Sequence, residues 1–103
     1  MEIIINSVNF KTDTALEIFV KEKVSKLFNQ CDNIIRANVI LRETEKGNPE
    51  NKLCKIRLMI PGNDHFVRKC TSVYEKSILQ AVEVLQKIIR RKKTEVNRKR
   101  YPH

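Results

Sequence analysis

The chain reads as a single α+β domain of order β-α-β-β-β-α, a four-stranded sheet with two helices packed on one face. Three observations predict this. Apolar residues recur at spacings of three and four in two separate segments, near 15–28 and 74–89. Short runs of alternating apolar and polar residues lie before and between them. The breaks between those runs hold both glycines and two of the three prolines. A length of 103 residues fits one domain.

Residues 2–8 form the first strand. Asp13 then precedes Ala15, Leu16, Phe19, Val20, Val24, Leu27 and Phe28, which fall on one helical face. An aspartate there can accept from the free amides of the first turn, so Asp13 is the expected N-cap. The helix should end near 29–32. Ile35, Ala37, Val39 and Leu41 alternate with Arg36, Asn38, Ile40 and Arg42, a half-buried strand. Gly47, Asn48 and Pro49 mark an exposed loop over 43–51. In 53–60, Cys54, Ile56, Leu58 and Ile60 should face in, with Lys55 and Arg57 facing out. Residues 61–64 make a turn, and 65–71 a short strand. Thr71 or Ser72 should cap the last helix, whose stripe is Tyr74, Ile78, Ala81, Val82, Leu85, Ile88 and Ile89. That helix is expected over 72–94. Lys92 falls seven residues after Leu85, in line with the stripe, where a lysine packed on the sheet would be costly. Contact with the sheet should therefore end near Ile89, with the last turns projecting past the core. Residues 1–94 then form the domain and 95–103 a short basic, flexible tail.

Charge is concentrated at that end. Lys87, Arg90, Arg91, Lys92, Lys93, Arg98, Lys99 and Arg100 stand against Glu95, in a chain whose net charge is +9. A cationic helix end suits a polyanion, with nucleic acid ahead of acidic proteins and anionic lipid also open. The outward strand residues offer no aromatic pair for base stacking, so phosphate contact through the helices is favoured over base reading through the sheet. Lys21, Lys23 and Lys26 on the first helix lie among Glu17 and Glu22. They read equally well as solvated surface or as a second cationic edge. Lys55, Arg57, Arg68 and Lys69 read as solvated strand faces, and Tyr74 as a packing residue.

An enzyme is disfavoured, because two histidines, at a turn and at the chain end, make no catalytic constellation. Two glycines cannot build a phosphate-binding loop. Cys31, Cys54 and Cys70 have no C-x-x-C spacing, so no metal or other cofactor is expected. Cys54 and Cys70, within strands, should be buried. Reduced thiols, no apolar run of 18 residues and no signal-like N-terminus point to a cytoplasmic protein without a membrane span.

The pattern resembles the short ribosome hibernation-promoting factors and ribosome-associated translation inhibitors. Val8-x-Phe10-x-x-Asp13-x-x-Leu16-x-x-Phe19-Val20-x-x-Lys23-Val24-x-x-Leu27 looks like the family's first strand and helix. Cys31-Asp32-x-Ile34 sits where an aromatic-Asp pair usually closes that helix, and Ile60-Pro61-Gly62 looks like the family's hairpin turn. Tyr74-Glu75-x-x-Ile78-x-x-Ala81-Val82-x-x-Leu85-x-Lys87-x-Ile89-x-Arg91-x-Lys93 looks like its final helix. Asn29 and Val84 depart from it, standing where cations are common.

The resemblance implies a fold like that of double-stranded-RNA-binding domains. It implies binding to 16S rRNA of the small ribosomal subunit, in the channel of mRNA and tRNA, in stationary phase or stress. The protein would be a monomer off the ribosome. The residues carried over for rRNA contact are Lys23, Lys26, Lys87, Arg91, Lys92 and Lys93, and Arg90 joins them as part of the basic helix end. Without a further C-terminal domain the chain resembles the short form. Short forms either assist ribosome pairing with a second, pairing factor or oppose it, and the brief basic tail favours assistance. The competing readings are a general RNA-binding or ribosome-assembly protein and, third, a small basic ribonuclease using His65.

Overall fold

The computed structural model describes residues 2–8 and 10–100, with side chains described as far as Arg91. Its elements are β1 (Ile3–Val8), α1 (Thr14–Gln30), β2 (Arg36–Glu43), β3 (Lys52–Met59), β4 (His65–Thr71) and α2 (Tyr74–Arg100). The sheet order is β1-β2-β3-β4. β1 pairs parallel with β2, because α1 carries the chain back between them, and the two hairpins that follow pair antiparallel. This is the expected α+β architecture.

Each element ends for a local reason. The Asp13 carboxylate accepts from the Leu16 amide at 2.7 Å, so the expected N-cap is present. Gly47 and Gly62 adopt φ of +90° and +88°, left-handed conformations that a side chain would resist, and they turn the two hairpin loops. At the entry to α2, Thr71 rather than Ser72 is engaged. Its hydroxyl donates to the Val73 carbonyl at 2.7 Å and lies 2.7 Å from the Ser77 hydroxyl. Ser77 is fully buried and donates to the Lys52 carbonyl at 2.6 Å, tying the start of α2 to β3.

The core lies between one sheet face and the two helices. α1 buries Leu16, Val20, Val24 and Leu27; α2 buries Ile78, Ala81, Val82, Leu85 and Ile89; the strands supply Ala37, Val39, Leu41, Cys54, Ile56, Leu58 and Val67. At about 25 cal/mol per Å² this apolar stripe-on-sheet burial is the main favourable term. Phe10 stacks on Tyr74 at 4.9 Å between centroids and closes one end of the layer.

Several expectations need correction. Ile34, not Ile35, enters the core; Ile35 is 56% exposed because the inward alternation starts at Ala37. Cys70 is exposed, since its register partner Leu53 lies on the side of β3 away from the helices. Leu53 itself is fully buried there, outside the main core. Lys69 is on the helix side of β4, the edge strand, rather than with Lys55, Arg57 and Arg68. Finally, α2 starts at Tyr74, two residues later than expected, and its backbone is helical through Arg100. At ~1.5 Å per residue its 27 residues span about 40 Å. A separate tail over 95–103 concerns side chains and terminal residues outside the described ones.

Candidate nucleic-acid interface

The strand directions fix how the helices lie. β1, β2 and β4 run the same way, so α1 and α2, each returning over the sheet, run parallel to one another. Their C-terminal ends therefore point in the same direction. The sequence is polarised along that direction. On α1 the last acid is Glu22, and Lys23 and Lys26 follow it. On α2 the stretch from Val84 to Thr94 has no acid, and Lys87, Arg90, Arg91, Lys92 and Lys93 lie within it. Parallel packing thus places the acid-free stretches 23–30 of α1 and 84–94 of α2 on the same side of the domain.

Lys23 and Lys26 form one wall of a shallow groove whose other wall is Leu79, Val82, Glu83 and Gln86. Arg90 follows Gln86 by one helical turn, so it extends that wall. Lys87 and Arg91, also one turn apart, form the adjacent row. Lys26, Lys87, Arg90 and Arg91 are exposed, whereas Lys23 is half-buried. The Lys23 ammonium lies 5.4 Å from the Phe19 ring centroid, which holds it against its own helix. The structure therefore groups Lys23, Lys26 and Arg90 along the groove, with Lys87 and Arg91 beside them. The side chains of Lys92 and Lys93 lie outside the described ones.

Among the residues whose side chains are described, Ile89 is the last buried one of α2, and Arg90 and Arg91 are exposed. Roughly 16 Å of helical backbone follows Ile89. α1 has no basic residue in its last turn, and Arg91 lies more than two turns before the end of α2 at Arg100, so the helix dipoles, felt only within the last turn, do little at these cations. Attraction for phosphate must come from side chains alone.

Leu79 and Gln86 were not singled out in the sequence as part of this surface. Their signal was present: they share the groove wall with Glu83 at helical spacing. Leu79 is an exposed large apolar residue on it.

Among the described residues no group of three or more His, Cys, Asp or Glu could hold a metal ion. His65 is half-buried on β4, and His103 lies outside the described residues. Burial pushes the Cys54 thiol up to about 12, so it is the neutral packing group expected. Among the described residues no helix is long and apolar enough to cross a membrane.

No sequence among curated proteins matches this chain. Solved structures that share its fold include the following two. The N-terminal domain of Thermus thermophilus Protein Y is 22% identical, with a TM-score of 0.70 over 87% of this chain and 93% of that one. A ribosomal subunit interface protein from Coxiella burnetii is 16% identical, with a TM-score of 0.79 over 91% and 99%. The profile of Sigma 54 modulation protein / S30EA ribosomal protein matches residues 3–97. That span includes all six elements apart from the last residues of α2, and the chain belongs to this family of ribosome-associated proteins.

Proposed function

We propose that this protein is a hibernation factor that silences idle ribosomes. It occupies the mRNA and tRNA channel of the small subunit, in the cytoplasm, during stationary phase or stress. Lys23, Lys26, Lys87, Arg90, Arg91, Lys92 and Lys93 contact 16S rRNA phosphates. The mechanism needs no chemistry, because a protein seated in that channel and a tRNA on mRNA exclude one another. The protein acts as a monomer off the ribosome, and assists rather than opposes ribosome pairing by a second factor.

The observation that carries this reading is that the acid-free, cationic stretches of the two parallel helices lie on one side of the domain. Membership of a ribosome-associated family supplies the target. Arginine and lysine projecting from a rigid helix pair suit an RNA backbone better than an acidic peptide, because rRNA presents phosphates at fixed spacing.

The test is sedimentation with purified small subunits at physiological salt. The variant Lys87→Ala, Arg91→Ala, Lys92→Ala, Lys93→Ala should fold normally and lose at least tenfold in subunit binding. Unchanged binding by that variant would remove the helix end from the mechanism. Equal affinity of the wild type for arbitrary duplex RNA would favour a general RNA-binding module instead.

A further inference from the structure

The sheet face away from the helices is also cationic. Alternation and register place Arg36, Arg42, Lys55, Arg57 and Arg68 on it. No acid shares those outward strand positions. Two of the five cations are neutralised from the sheet's margin: Arg36 pairs with Glu2, and Arg57 with Asp64 at 2.6 and 3.0 Å. Among the described residues Arg42, Lys55 and Arg68 have no carboxylate partner.

Those three form a patch. Lys55 and Arg68 are direct cross-strand partners, and Arg42 is diagonal to Lys55. Direct partners have Cβ atoms about 5 Å apart, and diagonal ones about 7–8 Å. Like charges directly opposite destabilise a sheet, so the Lys55–Arg68 pairing costs stability. Beside the patch stands Phe66, 58% exposed, with the Lys55 ammonium 5.8 Å from its ring centroid.

We infer that this open sheet face is a second RNA site, taking a short single-stranded segment. Its phosphates lie on Arg42, Lys55 and Arg68, and one unpaired base stacks on Phe66. Charge complementarity selects a polyanion. The exposed ring selects one that carries unstacked aromatic bases, which neither duplex RNA nor an acidic peptide offers. One aromatic gives stacking without base identity, so the site reads no sequence. The inference shares only its class of partner with the proposed function.

The experiment is fluorescence anisotropy with the full chain and a labelled ten-nucleotide oligouridylate over a range of KCl. The variant Arg42→Gln, Lys55→Gln, Arg68→Gln should bind at least tenfold more weakly, with a log–log salt slope shallower by about 2, at ~0.7 per lost phosphate contact. Phe66→Leu should weaken binding about tenfold with little change in slope. Lys87→Ala, Arg91→Ala should affect this oligomer less than either. Photocrosslinking of a 4-thiouridine oligomer reads the site without substitution and should map to β3 and β4. Crosslinks confined to α2, or unchanged affinity in a folded sheet variant, would overturn the inference. So would displacement of the RNA by poly-glutamate as effectively as by unlabelled RNA. Ribosome sedimentation is read separately, so loss of that binding alone would sink the channel reading and leave this one standing.

Discussion

Ser77 is a polar residue on the buried face of α2, and three hydrogen bonds explain it. Its hydroxyl meets Thr71, the Lys52 carbonyl and the Val73 carbonyl within 3.2 Å. Ser77→Ala leaves the Thr71 hydroxyl and the Lys52 carbonyl without that partner, and should cost about 1–3 kcal/mol in urea unfolding. Asp13→Ala removes the α1 cap and should cost about 1 kcal/mol. Cys54 and Tyr74 predict the alkaline limit. Burial raises Cys54 from 9.0 to about 12, and burial, then Glu43 and Cys70, raise Tyr74. Both keep protons in the folded state that the unfolded chain releases. Their contribution is fully present below pH 9.0 and is lost as pH rises from there toward 12. Urea midpoints taken across that range should fall; a rising midpoint would contradict the burial of Cys54. Asp13 was legible in the sequence because capping is local. The Thr71–Ser77–Lys52 link was not, because it joins residues up to 25 positions apart.

At the scale of elements, both helices were legible because one buried stripe fixes their phase. The strands were less so. A run such as Ile34-Ile35 is apolar at both parities, and only the pairing of Ala37 with Ile3 and Leu58 decides which enters the core. Cys70 was misplaced for the same reason: β4 is an edge strand with a neighbour on one side only. Lys92, the residue that breaks the stripe of α2, lies outside the described side chains, but the stripe as far as Ile89 was readable from its spacing. The convergence of Lys23 and Lys26 with Arg90 was not, since it depends on the two helices lying parallel. Leu85→Ala, within the packed part of α2, should cost about 2–5 kcal/mol in urea unfolding. Lys87→Ala, Arg91→Ala, beside the last packed turn, should leave the melting temperature within about 5 °C of wild type, consistent with surface substitutions of at most about 0.5 kcal/mol each. Matching losses of stability from the two variants would mean that the charged turns are part of the core.

For the whole molecule, described cations gather on two surfaces on opposite sides of the sheet. The helix ends carry one set, and the open sheet face carries the other. A small domain between two RNA walls would use both; a protein on a flat RNA surface would use one. Occupancy of the channel is the central claim, and competition on the small subunit tests it most directly. Small subunits saturated with mRNA and initiator tRNA should exclude the labelled protein, and excess protein should displace bound tRNA in proportion to its own binding. Simultaneous, independent binding of protein and tRNA on the same subunits would contradict the account.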